Sequence, residues 1–486
     1  MENKLAQLLD TQGLPQLFFR IFAAILLLCL FVGIATEWYF LAGIPAFLLL
    51  VYLTIVDFRK VFLLLVACIP LSTELNLPNG LSTDLPSEPL MVGLMLVAGA
   101  YAIRHIKELD GRFLRHPITL FLLFHLAWIV VTAITSQAPA VSFKFLLAKI
   151  WYVATFYFLA SRMLDGEKGF RAIFWAAFIP LILTVLLTIT RHAAYGFSFA
   201  DVFRVLHPFY RNHVTYASII ALFVPFVWFM RQWYPTYSRK WWVLAGSLLV
   251  LLVAIQLSYT RAAYVAVVAA IGAYYIIRWK LTRYVLILAL TATIGLMAFM
   301  AAGNRYLDYA PNFETTVSHR DFNNLIQATY DMEDISTMER LYRWMAGFQM
   351  SSDRPVLGFG PGNFYNFYKP YTITSFKTYV SDNPDKSGIH SYYLMTLVEQ
   401  GLPGLILFLL LCSYALLRGE AIYHRAEGVK DKQMVMMAML SLIIILTLLL
   451  INDLIETDKV GAFFFINLAL LVNLDLKDKT QARVTG

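Results

Sequence analysis

The residues best suited to chemistry in this chain are a histidine and several basic side chains at the edges of apolar runs. His390 stands in the sequence GIHSYY at residues 388–393, just before the chain becomes apolar again. A neutral imidazole can accept a proton from a hydroxyl group near neutral pH, which makes His390 a candidate general base. Glu399 follows it about two and a half helical turns later. A structural role is the alternative for a single histidine.

Arg261 lies where two apolar runs meet with almost no loop, in LSYTRAA at residues 257–263. A helix that begins near Ser258 or Thr260 would offer hydroxyl caps and free backbone N–H groups, with Arg261 in its first turn. Together these groups would form an anion site. A cation in the first turn opposes the helix dipole, which favours a binding role over a purely structural one.

A second group of donors is HPFYRNH at residues 207–213, which includes Arg211 and His213. An aromatic and basic anchor at the membrane interface is the alternative role. A metal site is disfavoured, because only two imidazoles are near and no carboxylate adjoins them. Lys149 lies inside an apolar run, where an unpaired ammonium is costly. We expect it to have a carboxylate partner, water or an anionic ligand, and an internal ion pair is the structural alternative.

The sequence STME at residues 336–339 has the Ser-x-x-Glu spacing of a capping box, and apolar residues follow at helical spacing. We predict an amphipathic helix at 337–350, with Arg340 and Arg343 on its polar face. Plain solvation is the alternative to a functional role for both. The glycine-rich turn DRPVLGFGPGNF at 353–364 comes next. It lacks the Lys-Ser/Thr pair and the strand-to-helix frame of a nucleotide-binding loop.

The elements that carry these residues are membrane helices. The chain is 59% hydrophobic and 14% charged, which is typical of a polytopic membrane protein. The net charge of +8 does not indicate nucleic acid as a partner, because Lys and Arg fall mostly in short loops between apolar runs. All three cysteines lie in apolar runs, which argues against a disulfide framework or a thiolate metal site.

Fourteen apolar runs are close to the length of a bilayer span, although Pro70 interrupts the third. They are 18–36, 38–56, 61–77, 87–104, 117–135, 142–161, 172–190, 213–230, 241–257, 262–277, 284–302, 401–418, 434–451 and 459–474. We therefore predict an all-α polytopic integral membrane protein with about 12–14 transmembrane helices.

Alternate loops carry most of the Lys and Arg, whereas the opposite loops 72–86, 136–141 and 452–458 contain none. By the positive-inside rule, the basic loops and both termini are cytoplasmic. The polar interval 303–400 then lies on the outer side, which in a bacterial envelope would be the periplasm, as a large and mainly helical segment. This gives three regions: an N-terminal transmembrane bundle at 1–302, a periplasmic loop domain with His390 at 303–400, and C-terminal transmembrane helices with a short basic tail at 401–486.

These segments together resemble the O-antigen ligase/polymerase superfamily, and most closely the O-antigen ligases of lipopolysaccharide assembly. The resemblance rests on YRNH at 210–213, SYTR at 258–261, MERLYRW at 338–344, the glycine-rich turn, HSY at 390–392 and EQGLPG at 399–404. It covers roughly residues 205–420, and the first two hundred residues match only as a stack of spans.

The resemblance implies an inner-membrane glycosyltransferase that takes a glycan from undecaprenyl diphosphate on the periplasmic side and moves it to a sugar hydroxyl of lipid A–core. By matching position, His390 would be the general base and Arg261 would bind the diphosphate. Arg211 and Arg340 match further basic positions of the family. Residues expected to support the site are His213, Lys149, Arg343 and Glu399.

The chemistry of such a transfer fits these residue types. A diphosphate leaving group needs fixed cations, which two or three arginines can supply as bidentate donors without a metal. The nearest acidic pair on the outer side is Asp331 and Asp334, and it has no further ligands beside it. We expect a metal-independent, inverting reaction without a cofactor. The expected partners are the lipid-linked donor, the lipid A–core acceptor and membrane lipid.

Three alternatives remain. An O-antigen polymerase uses the same donor but need not keep the histidine, and its presence here favours a ligase. A protein O-oligosaccharyltransferase often carries further outward sequence after its last spans, whereas this chain has a short basic tail. A lipid-linked glycan transporter or flippase belongs to a different class. It is disfavoured because the sequence shows neither an inverted repeat nor a pair of interrupted helices in matching halves.

Overall fold

The computed structural model describes residues 14–36, 41, 43–76, 82–104, 111–303, 305, 335–377, 381–383 and 387–484. This part of the chain is almost entirely helical, which confirms the prediction of an all-α polytopic membrane protein. Helices α1 to α7 are Leu14–Ala35, Gly43–Val56, Phe58–Cys68, Ser87–Arg104, Gly111–Leu114, Pro117–Ile134 and Pro139–Met163. Helices α8 to α13 are Gly166–Ala193, Val202–Leu206, His213–Arg231, Arg239–Leu257, Arg261–Arg278 and Thr282–Ala301. Helices α14 to α18 are Ile335–Asp353, Phe364–Phe367, Tyr392–Arg425, Val429–Leu448 and Asp458–Val484.

Each of the fourteen predicted runs contains one of these helices. Ten helices in the described ranges are long and apolar enough to cross a membrane, and two shorter apolar helices occupy the first two runs. Most of residues 304–337, the first part of the predicted periplasmic loop domain, falls outside the described residues. The structure therefore establishes a multi-pass helical architecture.

The third run is not a single span. Helix α3 ends at Cys68, and a short 3-10 turn at Ile69–Leu71 contains Pro70. Proline has no backbone N–H for the next helical hydrogen bond, so the helix cannot continue through it. The chain then forms a hairpin of β1, Thr73–Asn76, and β2, Ser82–Leu85. These antiparallel strands are in register with Thr73 opposite Leu85.

The helices differ in how much of their surface other helices cover. Helix α18 is the most buried of the ten candidate spans, and α10 and α17 follow it. The apolar residues of α13 are exposed on all sides. A helix that is apolar all round and is little covered by other helices exposes its side chains to lipid. The core of the bundle therefore lies around α10, α17 and α18, and α13 lies at its edge.

Helix α16 is broken at Gly401, where φ is +70° and ψ is −177°. The sequence GLPG at 401–404 carries a glycine and a proline here, and both residue types favour an interruption of the helix. The glycine-rich turn packs into the break: the amide of Leu402 donates to the carbonyl of Pro355 at 2.7 Å, and that of Gly360 donates to the carbonyl of Glu399 at 2.9 Å. The turn thus supplies partners for backbone groups that the break leaves outside the helical pattern.

The turn needs glycine because it lies against α6 and α7 with left-handed backbone angles. At Gly360 φ is +95°, and a Cβ there would overlap the side chain of Ser136. Asn363 anchors the same turn, since its Nδ2 donates to Oγ of Ser136 at 2.8 Å and to Oγ of Ser142 at 2.9 Å. A side chain at Gly360 would therefore disturb both the backbone and this contact.

The far end of α16 is fixed by a buried carboxylate. Asp475 on α18 accepts hydrogen bonds from Arg418 at 3.0 and 2.8 Å and from Arg425 at 2.5 Å. Nε2 of His116, next to α6, lies 3.0 Å from the same carboxylate. Asp475 is completely buried, so these contacts offset the cost of removing its charge from water. They join α6, α16 and α18 at one end of the bundle.

Candidate active site

His390 lies between α14 and the first residue of α16. Two side chains of α14 hold the backbone before it: Nη1 of Arg343 donates to the carbonyl of Gly388 at 3.1 Å, and Nε1 of Trp344 donates to the carbonyl of Ile389 at 3.0 Å. His390 itself has φ +55°, a left-handed conformation that L residues with a side chain seldom adopt. The neighbouring structure therefore fixes the direction of this imidazole.

The start of α16 is fixed from its other side by the connection between α17 and α18. The amide of Tyr392 donates to the carbonyls of Leu449 at 3.0 Å and Asn452 at 3.1 Å. The side chain of Ser391 caps the helix by accepting from the amide of Leu394. His390 is consequently held between α14 and the loop that precedes α18.

The electrostatic environment keeps His390 neutral. Burial, followed by the charges of Arg343 and Arg340, lowers the pKa of His390 from its usual 6.5 to about 3. Burial and nearby positive charge both disfavour the imidazolium, so the two effects act in the same direction. At neutral pH the imidazole is therefore unprotonated and able to accept a proton.

Arg340 lies near both His390 and the two residues predicted at the starts of earlier helices, His213 and Arg261. Its charge acts on the imidazole of His213, where the charge of Arg261 acts as well. His213 begins α10 and Arg261 begins α12, so the structure brings the starts of these two helices to α14. Nδ1 of His213 is buried and has no hydrogen-bond partner among the described residues. The predicted residues His213, Arg261, Arg340 and His390 thus share one electropositive region.

Arg343 differs from its predicted setting. The amphipathic pattern placed it on a solvated face, but Arg343 is only 6% exposed. Its Nη2 donates to Oε2 of Glu339 at 3.1 Å, and the other carboxylate oxygen of Glu339 accepts from Ser381 at 2.6 Å. Glu339 therefore binds Arg343, whereas the sequence pattern had assigned it to a capping box. The pattern failed because α14 is also covered on the side of Arg343, where the neighbouring Tyr342 and Ala346 are buried.

Arg211 lies at the edge of this region. Its Nε is 3.6 Å from a carboxylate oxygen of Glu74 in β1, and its side chain is 70% exposed. Arg211 and Arg343 both act on Asp453, a residue that the sequence reading did not select. Burial raises the pKa of Asp453, and the two arginines oppose this rise. Asp453 adjoins His390, because a Cβ on Gly388 would lie 2.6 Å from its Oδ2.

Lys149 lies beneath the start of α16 in an internal ion pair. Its Nζ is 2.6 Å from Oε1 of Glu456 and 3.4 Å from the hydroxyl of Tyr392. The ammonium also lies over the ring of Phe145 at 5.3 Å. The lysine is 5% exposed, and its carboxylate partner satisfies the expectation for an ammonium at this depth. These contacts support the structural alternative for Lys149.

Glu399 is fully engaged by the glycine-rich turn. Its carboxylate accepts from the amides of Gly362 at 2.8 Å and Phe364 at 3.0 Å. Nine residues of helix separate it from His390, a distance of roughly 13 Å along the axis. Through these hydrogen bonds Glu399 holds the glycine-rich turn in the break of α16.

The described residues contain no group of three or more His, Cys, Asp or Glu side chains that could hold a metal ion. The predicted acidic pair, Asp331 and Asp334, falls outside the described residues. What the described site offers is cationic donors around a neutral imidazole. Such an arrangement can stabilise an anionic leaving group and accept a proton.

Comparison with known proteins bears on the predicted resemblance. A search of curated proteins found no match to the chain. Residues 246–409, which include Arg261, α14, the glycine-rich turn and His390, match the family model described as O-antigen ligase. Over these residues the chain is similar to the O-antigen ligase family, which supports the predicted resemblance to the O-antigen ligase/polymerase superfamily.

Proposed function

We propose that the protein is an O-antigen ligase-type glycosyltransferase that moves a glycan from undecaprenyl diphosphate to a sugar hydroxyl of lipid A–core. The observation that carries this proposal is the position of Arg340, whose charge acts on both His213 and His390. Arg261 acts on the same region from the start of α12. A neutral base thereby lies beside cations suited to a diphosphate.

In the proposed reaction, His390 removes the proton of the acceptor hydroxyl as its oxygen attacks the anomeric carbon of the donor. A new C–O bond forms to the acceptor, and the C–O bond to the diphosphate breaks. Arg261 and Arg340, with Arg211 nearby, neutralise the charge that develops on the leaving diphosphate. Direct displacement in one step inverts the anomeric centre. Neither a metal nor a cofactor takes part in this scheme.

The low pKa of His390 has a functional meaning in this scheme. The charges of Arg343 and Arg340 contribute to lowering this pKa to about 3. A bound diphosphate would offset these charges and raise the pKa of His390 toward its ordinary value. Donor binding would therefore make the imidazole a stronger base at the moment when a proton must be removed.

The proposed setting follows from the charge of the loops. Basic loops on one side place both termini in the cytoplasm and the interval 303–400 in the periplasm of a bacterial inner membrane. Helices α10 and α12 begin on the same side as His390. A lipid-linked donor would reach this region from the bilayer with its diphosphate at the outer membrane surface. Lys149 and Glu399 would act as positioning residues, through Glu456 and the glycine-rich turn respectively.

Reconstitution tests the proposal directly. Purified protein in liposomes receives lipid-linked glycan and lipid A–core, without added metal or ATP, and transfer is followed by gel shift and mass spectrometry. We expect transfer by the unaltered protein and its loss in His390→Ala and Arg261→Ala. His424→Ala is the matched control, because His424 lies in the last turn of α16, at the opposite end of this helix from His390, and it should retain transfer.

Different outcomes separate the alternatives. Extension of a second lipid-linked glycan, with lipid A–core left unmodified, would identify a polymerase. Attachment to protein would identify an oligosaccharyltransferase. Movement of the lipid-linked glycan across the bilayer without any transfer would identify a flippase. Normal transfer by Arg261→Ala would remove this arginine from the diphosphate site.

A further inference from the structure

A separate cavity lies at the opposite end of the helices from His390. Its volume is about 1060 Å³, at the upper end of the range of roughly 300–1,000 Å³ usual for small-molecule sites. Helix α18 runs from one site to the other. It begins at Asp458 near the His390 site, and Lys477, which lines the cavity, lies about 28 Å farther along the helix at roughly 1.5 Å per residue. The cavity is thus distinct from the site described above.

Basic side chains from four parts of the chain line this cavity. They are Arg59 of α3, Arg112 of α5, Arg162 of α7 and Lys477 of α18. Among the described lining residues Asp165 is the one carboxylate, and Lys477 binds Asp431 outside the lining at 3.0 and 2.8 Å. The exposed side chains of Arg59 and Arg162 make no hydrogen bond or ion pair with any described residue. The lining therefore carries a net positive charge.

The rest of the lining is apolar. Leu94 and Ala98 of α4, Phe113 of α5, Phe158 of α7 and Leu474 of α18 face this space. A cavity with both a basic lining and an apolar wall suits an amphiphile. A free anion would contact the basic groups alone, and a neutral lipid would contact the apolar wall alone. Basic pockets between membrane helices on the cytoplasmic side are a recurrent setting for anionic lipid head groups.

We propose that this cavity binds an anionic phospholipid of the surrounding bilayer. Its phosphate lies among Arg59, Arg112 and Arg162, and an acyl chain lies along the apolar wall. The lipid joins α3, α5 and α7 at their basic ends, where the positive-inside rule places the cytoplasmic leaflet. This site is independent of the glycan transfer proposed above, so either proposal can fail without the other.

Native mass spectrometry of the full chain in detergent tests the proposal. The probes are phosphatidylglycerol, zwitterionic phosphatidylethanolamine and inorganic phosphate, each added alone over a concentration series. We expect the unaltered protein to retain phosphatidylglycerol in preference to phosphatidylethanolamine. The double variant Arg59→Gln/Arg162→Gln should weaken phosphatidylglycerol binding roughly tenfold or more, since each basic residue near an anionic lipid contributes about fivefold. Binding of phosphatidylethanolamine should not change.

Two further variants make the test decisive. Ala98→Phe fills the apolar part and should weaken retention of both lipids, although all basic residues remain. Arg239→Gln/Arg283→Gln removes two exposed arginines outside the cavity and should bind phosphatidylglycerol as the unaltered protein does. Equal retention by Arg59→Gln/Arg162→Gln and the unaltered protein overturns the proposal. Equal loss in the two double variants, or retention of inorganic phosphate at the same concentrations as phosphatidylglycerol, overturns it as well.

Discussion

Gly360 is the position at which a single methyl group should disturb the join between the glycine-rich turn and α16. In Gly360→Ala the new Cβ would overlap Oγ and Cβ of Ser136 and lie 2.8 Å from Oγ of Ser142. The backbone there has φ +95°, which alanine disfavours by roughly 1–2 kcal/mol. Overpacking against Ser136 adds roughly 1–3 kcal/mol. The expected loss of unfolding free energy is therefore about 2–5 kcal/mol.

The assay is thermal unfolding in detergent micelles, followed by tryptophan fluorescence at one fixed scan rate. A chain of 486 residues has an unfolding entropy near 1 kcal/mol/K, so this loss lowers Tm by roughly 2–5 °C. The matched control is Gly295→Ala, since Gly295 lies within α13 and a Cβ there meets nothing within 4 Å. Its Tm should not fall.

A double variant separates the two causes. Ser136→Gly removes both atoms that the new methyl overlaps, so Ser136→Gly/Gly360→Ala keeps the backbone strain but loses the overlap. The close approach to Oγ of Ser142 remains, so this double variant should be less destabilised than the sum of the single variants by part of the roughly 1–3 kcal/mol of overpacking. Additive effects would refute the overlap, and an unchanged Tm for Gly360→Ala would refute the reasoning as a whole.

Four further predictions concern the candidate site. Labelling of His390 by diethyl pyrocarbonate, read by peptide mass spectrometry, should stay constant from pH 7 to 5, because its pKa is lowered to about 3; loss of labelling near pH 6.5 would contradict this. Below pH 6.5 the imidazole of His390 takes up a proton in the unfolded chain but not in the folded chain. The free energy of unfolding should therefore fall as the pH drops, and it should fall less in His390→Gln. Lys149→Met leaves Glu456 unpaired, so Lys149→Met/Glu456→Gln should unfold at a higher temperature than Lys149→Met alone, and equal values would argue against the ion pair. Trp344→Phe removes the indole N–H that donates to the carbonyl of Ile389. Loss of this hydrogen bond, about 1 kcal/mol, should lower kcat about fivefold while the KM for the glycan donor stays unchanged. An unchanged kcat would show that this hydrogen bond does not position the base.

The parts of the fold that depend on nearby residues could be predicted from the sequence. Apolar runs determine helices because every backbone group in lipid must be paired within its own segment. The break at Gly401 was predictable for a similar reason, since glycine and proline act within one turn of helix. The hairpin after Pro70 was missed because strands this short carry no clear alternation of apolar and polar residues.

The arrangement of the site depended on contacts between distant segments. The helical pattern could give Arg343 a face of α14, but it could not show that Gly388 and Glu339 would enclose that face. Asp453 was missed although it lies in a loop, 452–458, that is free of Lys and Arg and was predicted to face outward. The acidic residues of that loop were the one available signal. Glu399 had a predictable place on a helix, but its partners in the glycine-rich turn depend on folding across the break.

The two fixed ends of α16 restrict how this protein can move. At one end the amide of Tyr392 binds the carbonyl of Leu449, and at the other Arg418 and Arg425 bind Asp475. Sliding α16 along its axis past α17 and α18, even by one helical turn of about 5.4 Å, would break both sets of contacts at once. His390 therefore keeps a constant height relative to the bundle. Any opening for a bulky substrate must come from sideways displacement of neighbouring elements.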